Sequence, residues 1–358
     1  MMKKYAILTC FYLLILLISC KKEEVSGSLD DSVILDNLVT KIENNQYGGE
    51  VHSLLIMKDD SIIFEKYFNG YSRDRKQQLY SVTKSFTSSL IGICIQKGYI
   101  GSVNAKVLDF FPQYQGAIAN FDTLKAKITV ADLLTMRAGF SWDEWSIPYS
   151  NPDNLIFKMT NSSDWVKFVL DRPMAYSPGT HFAYSSGVSN VLSAIITETT
   201  GKSANDFAEE TLFNCLGITN FSWDNSASNV SVGGWGLSLR PVDMVKFGQL
   251  FLHKGKWNNE QVLPESWVEE STQIHCQANK WCDYGYQWWR YGEAMKTSGA
   301  LPTTDIYFAS GRGEQYIWVL PSYNAVVVCT AWNDGVQKLE PVLWEYVVKA
   351  LDELAKKE

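Results

Sequence analysis

The tightest constraint on what this chain can fold into is an alternating apolar pattern that appears near both ends and gives way to a different period between them. Val51-His52-Ser53-Leu54-Leu55-Ile56-Met57 and Ile62-Ile63-Phe64-Glu65-Lys66-Tyr67 flank a turn at Lys58-Asp59-Asp60. Short β-branched runs around such a turn read as a hairpin. A second pair comes late: Tyr316-Ile317-Trp318-Val319-Leu320, a turn at Pro321-Ser322-Tyr323-Asn324, and the run from Ala325 to Ala331, with Asp305-Ile306-Tyr307-Phe308-Ala309 before them. From Ser81 to about Gly217 the apolar spacing is mostly helical, broken by turn residues at Gly98, Pro112, Gly139, Pro148, Pro173 and Pro178-Gly179. Helical periodicity also marks Val33 to Ile42 and the closing stretch, where Leu339, Val342, Leu343, Tyr346, Val347, Leu351 and Leu354 fall on one face. An isolated hairpin is marginal in water. The two pairs are therefore expected to complete one antiparallel sheet from both chain ends, flanked by helices, with a mostly helical lobe over residues 81–217 inserted: an α+β fold. There is no internal repeat and no long linker, so residues 33–358 read as one domain.

The beginning of the chain is of another kind. Met1-Met2-Lys3-Lys4 and the apolar run Tyr5 to Ser19 have the layout of an export signal. Leu17-Ile18-Ser19-Cys20 resembles the lipobox of bacterial lipoproteins, which implies a signal peptide over 1–19, lipid on Cys20 and a polar tether over 20–32. The alternative is an uncleaved anchor, since the run is near the minimum length to span a bilayer. Lys21-Lys22-Glu23-Glu24 resembles the charged sequence that sends some lipoproteins to the cell surface, or serves only as a solvated tether. The expectation is a lipid-anchored protein of the bacterial cell envelope, facing the periplasm or displayed on the outer membrane. A net charge of −7 leaves no basic surplus, so no nucleic-acid partner is expected. Of seven cysteines, Cys10 and Cys20 belong to this leader, and the remaining five cannot all pair. Cys94 and Cys329 lie in apolar runs and are expected as buried free thiols; Cys276 and Cys282 are candidates for a local disulfide. No Cys/His cluster has zinc spacing, and neither a metal nor another cofactor is expected.

Within the helical region, Leu79-Tyr80-Ser81-Val82-Thr83-Lys84-Ser85-Phe86 holds the pattern Ser-x-x-Lys. On a helix starting at about Ser81, with Phe86, Leu90, Ile93 and Cys94 as its apolar stripe, Ser81 and Lys84 stand one turn apart on one face. The field of a helix N-terminus and a desolvated lysine are two ways to activate a serine without histidine. The pattern is weak by itself, since it recurs by chance on the order of once in a chain of this length, and Ser19-Cys20-Lys21-Lys22 also matches it. Such a nucleophile needs a second proton carrier. Tyr184, in Ala183-Tyr184-Ser185-Ser186 just before a new helical run, is placed for that role, or it packs its ring beneath the turn.

At these residues the chain resembles the serine β-lactamase-like superfamily, in particular the branch of class C β-lactamases, esterases, D-aminopeptidases and 6-aminohexanoate-dimer hydrolases. Ser81-Val82-Thr83-Lys84 stands where the family has Ser-x-x-Lys, and Tyr184-Ser185-Ser186 where it has Tyr-x-Asn. Ile128 to Gly139, Gly236 to Met244, Tyr284 to Trp289 and Gly311 to Ile317 add family-like stretches over nearly the whole mature chain. The resemblance implies an acyl-enzyme hydrolase of a small ester, amide or peptide. Ser81 would attack, Lys84 and Tyr184 would carry protons, and the oxyanion would lie between the backbone of Ser81 and that of Ser310 or Gly311. Two departures stand out. Ser186 replaces the usual Asn, and the Lys-Thr-Gly of β-lactamases gives way to Ala309-Ser310-Gly311-Arg312, the literal Lys296-Thr297-Ser298-Gly299 lying upstream as a decoy. The second favours an esterase or amide hydrolase over a β-lactamase or D,D-peptidase. Arg312 is a candidate for holding a substrate carboxylate, or is a surface residue; Trp142, Trp145, Trp288 and Trp289 are candidates for pocket walls. The competing reading is a catalytically idle binding or sensor lipoprotein that kept the fold.

Overall fold

The structure, a computed structural model, describes residues 31–46, 49–298, 305–333, 339–340 and 344–357. The leader and Cys20 lie outside the described residues. The segment Asp31–Glu43 is a helix (α1), so helical structure begins two residues earlier than the domain start at 33.

Both chain ends build one antiparallel sheet. Its strands are Glu50–Lys58 (β1), Ser61–Tyr67 (β2), Cys276–Gln277 (β3), Cys282–Tyr284 (β4), Trp289–Tyr291 (β5), Tyr307–Gly311 (β6), Gln315–Leu320 (β7) and Ala325–Trp332 (β8). Their spatial order is β2-β1-β8-β7-β6-β5-β4-β3. The first hairpin closes through Asp59 and Asp60 with φ of 47° and 63°, the left-handed pair that a tight two-residue turn demands. The first strand then meets the last, with Leu54 opposite Cys329, Leu55 opposite Val328 and Ile56 opposite Val327. These positions are buried on both faces, which is why β1 and β8 read as near-continuous apolar runs. The helix Pro241–Leu252 (labelled α5 below) packs on β7 and β8, and α1 packs on the C-terminal helix Lys349–Ala355 (α6).

The expected strand over 305–309 is shifted two residues, to Tyr307–Gly311, and the short strands β3 to β5 extend the sheet beyond what the alternation shows. Two or three residues are too few for a period to register. Just outside the helical region, Gln77–Gln78, Phe221–Trp223 and Leu237–Leu239 form a small separate sheet that its spacing does not show.

The central helix Thr83–Gln96 (α2) is buried from Thr83 to Cys94. An apolar stripe alone would have left the opposite face wet. Instead that face carries Ser85, Thr87 and Ser89, whose hydroxyls donate to the carbonyls of Gln287, Gly233 and Ser85. Small hydroxyl side chains satisfied in this way let the neighbouring backbone close in at no polar penalty. Helix Ser186–Thr200 (α4) packs against it, α5 meets it through the stacked Phe86 and Phe247 rings, and Val130–Leu134 (α3) packs on α4.

Cys94 and Cys329 are buried free thiols as expected, and Cys215 is a free, exposed one. The disulfide suggested between Cys276 and Cys282 is not formed. The hairpin register puts Cys276 opposite Tyr284, two residues beyond Cys282, and diagonal neighbours lie about 7–8 Å apart, outside the reach of a cross-strand bridge.

Candidate active site

Ser81 sits in a single 3-10 turn, Tyr80–Val82, immediately before α2. Tyr80 has φ of 47°, a conformation that costs a bulky residue about 1–3 kcal/mol and persists only where its surroundings enforce it. They do so here: the Leu79 N–H donates to Leu237 O at 2.9 Å, and Leu237 N–H donates to Thr83 Oγ1 at 3.2 Å. The turn lifts Ser81 to a half-buried position while Lys84, one turn on, is 1% exposed.

Lys84 Nζ has three oxygen neighbours: Ser81 Oγ at 2.9 Å, Ser186 Oγ at 3.0 Å and Gly234 O at 2.7 Å. Burial pulls its pKa from 10.5 down to about 8, against the opposing field of the Glu144 carboxylate. The carbonyl of Gly234 can approach because Gly233 and Gly234 lie flat on α4; a Cβ on Gly233 would come within 2.2 Å of Ser189 O. The Ser-x-x-Lys spacing has thus produced an amine that can exist neutral near physiological pH, in hydrogen-bond contact with a hydroxyl.

Tyr184 reaches the same point from the other side. Its approach is set by α3, whose N-terminus is closed by a capping box between Thr129 and Asp132. Beyond α3, Met136 O accepts from Ala183 N–H at 2.9 Å, and Ser185 caps α4 through Val188 N–H. The Tyr184 ring is sandwiched between Trp145, at 4.5 Å, and Trp289, at 5.8 Å, with Lys84 Nζ 4.9 Å from its centroid. Tyr184 therefore both packs and faces the lysine, and the two readings open in the sequence are not exclusive.

Ser310 and Gly311 end β6 beside the serine. A Cβ on Gly311 would fall 2.2 Å from Leu79 O and 3.2 Å from Ser81 N, so the strand edge lies directly against the backbone of the Ser81 turn. The exposed Arg312 guanidinium lies between the Tyr149 and Trp332 rings, 5.5 and 5.6 Å from their centroids. Among the tryptophans proposed as walls, Trp145 and Trp289 flank Tyr184. Trp288 does not: it is fully buried against Phe247, Phe251 and Tyr307 in the core behind the sheet. Consecutive strand residues point to opposite faces, so the Trp288-Trp289 pair could not both reach one pocket. Trp142 is buried as well, and its indole N–H donates to Glu144 Oε2 at 2.9 Å. Lys296 lies in the helix Glu293–Thr297, which precedes β6 in the chain and is not part of it.

Residues 36–351 match the profile of the family described as Beta-lactamase. The chain belongs to this family. It is 22% identical over 329 residues to the 6-aminohexanoate-dimer hydrolase of Paenarthrobacter ureafaciens, covering 84% of this chain and 79% of that one. Among solved structures it resembles EstCE1, a hydrolase with promiscuous acyltransferase activity, at a TM-score of 0.73 and 15% identity over 90% of this chain and 99% of that one. It also resembles the D-alanine carboxypeptidase AmpC of Burkholderia cenocepacia, at a TM-score of 0.65 and 15% identity over 92% of this chain and 99% of that one. The fold class and the superfamily expected from the sequence are both confirmed by these matches.

The most consequential residue of this β-lactamase-family site escaped the sequence reading. Glu144, 2% exposed, accepts from Ser186 N–H at 2.7 Å, Ser186 Oγ at 2.8 Å and Tyr149 OH at 3.2 Å, besides Trp142. Its sequence neighbour Asp143 is exposed and caps a local turn. The signal was an acidic residue flanked by Trp142 and Trp145 in a turn-rich segment, with nothing to say which of two adjacent carboxylates turned inward. Gln287 was also missed. Its side chain accepts from Ser189 and donates to Leu133 O and Leu134 O, tying α4 to α3 while its carbonyl holds Ser85 of α2.

Proposed function

We propose that this protein is a serine hydrolase that cleaves a small ester or amide through an acyl-enzyme. The observation that carries the reading is the Lys84 amine, fully buried, lowered toward neutrality and 2.9 Å from the Ser81 hydroxyl. Ser81 Oγ attacks the substrate carbonyl as its proton passes to Lys84, and the carbonyl oxygen takes the negative charge between the backbone of Ser81 and that of Gly311. Collapse breaks the bond to the leaving group, which takes a proton from Lys84 by way of the Tyr184 hydroxyl. Water then attacks the acyl carbon, returning the acid and the free serine. The sequence relative named for a 6-aminohexanoate dimer, an amide, and the structural relative EstCE1 both fit this chemistry.

Substrate preference follows from what stands at the end of β6. A β-lactam carries a carboxylate, and the Lys-Thr-Gly whose lysine would pair with it gives way to Ala309-Ser310-Gly311. A charge-assisted hydrogen bond contributes about 1.5–3 kcal/mol, so its loss lowers β-lactam turnover roughly tenfold to a hundredfold and leaves neutral esters untouched. The test is kcat/KM on a p-nitrophenyl short-chain ester beside a chromogenic cephalosporin, with Ser81→Ala as the blank. Ester cleavage should be faster and should vanish in Ser81→Ala. Cephalosporin cleavage equal to or faster than ester cleavage would refute the preference and assign the carboxylate to Arg312.

A further inference from the structure

Glu144 has no part in the steps above, yet its carboxylate is buried at the N-terminus of α4, one side chain away from the lysine. We propose that Glu144 is a positioning residue which, acting through Ser186, fixes the direction of the hydrogen-bond chain so that the neutral Lys84 amine turns its lone pair on Ser81. The inference rests on the Ser-Lys reading of the site.

The direction of the chain follows from the hydrogens available to it. A carboxylate only accepts, so the Ser186 hydroxyl, 2.8 Å from Glu144 Oε1, gives its single hydrogen to Glu144. Only lone pairs of Ser186 Oγ are left for Lys84, 3.0 Å away. The carbonyl of Gly234, 2.7 Å from Nζ, also only accepts. A neutral amine has two hydrogens and one lone pair; the two hydrogens go to these two obligatory acceptors. The remaining direction, toward Ser81 Oγ at 2.9 Å, holds the lone pair. Ser81 O–H therefore donates to Lys84, the polarity that a general base requires. When the Ser81 proton moves to Nζ as the new C–O bond forms, the ammonium has three hydrogens, two already accepted and the third facing the reacting atoms for return to the leaving group. Glu144 gains no proton at any step.

Glu144 is itself held in register. Ser186 N–H, in the first turn of a fifteen-residue helix, and the Trp142 indole fix Oε2, and Tyr149 OH joins Ser186 Oγ on Oε1. The titratable groups facing Lys84 are Glu144 from the 141–149 segment and Tyr184 from the approach to α4; α2 contributes Ser81 and the 233–237 segment contributes Gly234 O.

Glu144→Gln keeps the shape and reverses the polarity. Its amide oxygen can accept from Ser186 N–H and Trp142, which turns its NH2 toward Ser186 Oγ. The Ser186 hydrogen is then directed at Lys84, whose lone pair it occupies. The experiment measures the second-order rate at which a fluorophosphonate labels the full chain between pH 6 and pH 10, for the wild type, Glu144→Gln, Ser186→Ala and the double variant. Labelling reads the first proton transfer without knowledge of the natural substrate.

The expected result is a plateau about a hundredfold lower in Glu144→Gln, the scale of a lost general base, with the rising limb moved to lower pH because the carboxylate that favours the ammonium is gone. In the Ser186→Ala background, Glu144→Gln should add little to the plateau loss. A merely structural Glu144 would lower the melting temperature and leave the limb in place. A folded Glu144→Gln with wild-type rate and limb overturns the inference. Should Glu144→Gln not fold, wild-type labelling by Ser186→Ala overturns it equally, because the chain runs through that hydroxyl. A wild-type protein that takes no label rejects the Ser-Lys reading itself, an outcome distinct from either.

Discussion

In the proposed mechanism the chemistry turns on Lys84, and its burial has a consequence for stability as well. Its pKa falls from 10.5 to about 8 on folding, chiefly through desolvation. Between those values the unfolded chain binds more protons than the native one, so the contribution of this residue makes stability rise with pH from about 8 to 10.5; below about 8 the full cost of a buried ammonium is present. The shift corresponds to a few kcal/mol. The difference in unfolding free energy between the wild type and Lys84→Met, followed by denaturant titration from pH 7 to 10.5, should move in the wild type's favour as pH rises. A difference independent of pH would mean that the amine is not desolvated as described. At this scale the sequence was legible where two partners lie within one helical turn, as Ser81 and Lys84 do. It was illegible where partners are distant, as with Glu144 and Ser186, forty-two residues apart, because nothing local distinguishes a carboxylate that turns inward from Asp143 beside it.

Elements meet at this site through unusually close backbone approaches, and the end of β6 makes one of them. A Cβ on Gly311 would stand 2.2 Å from Leu79 O, closer than side chains come, and a tight 3.2 Å from Ser81 N. Gly311→Ala should therefore push β6 from the Tyr80–Val82 turn, costing about 1–3 kcal/mol of stability, as overpacking does, and widening the proposed oxyanion site. Thermal denaturation and ester turnover measured together check this: both should fall. An unchanged protein would show that the strand and the turn move apart at no cost. The long strands and the central helix were readable from period alone, since each spans several repeats of its pattern. The two-residue and three-residue strands β3 to β5 were not, and neither was the polar face of α2, whose burial depends on the acceptors that Gly233 and Gln287 bring from elsewhere in the chain.

Across the whole molecule, the site exists only because both ends of the chain close one sheet around the central helix. Ser81 and Lys84 lie on one segment, Glu144 on another, Tyr184 and Ser186 on a third, Gly234 on a fourth and Gly311 on the last strands. The alternation at both ends anticipated that closure. The family-like stretches included the segments of Ser81, Tyr184 and Gly311 but not those of Glu144 and Gly234. The central claim is that this convergence makes Ser81 a nucleophile, and it is tested most directly by treating the folded protein with a fluorophosphonate and mapping the adduct by peptide mass spectrometry. A single phosphonylated peptide containing Ser81, formed by the native chain and lost on prior unfolding or in Lys84→Met, is the predicted result. No adduct, an adduct at another residue, or labelling that survives unfolding would contradict it.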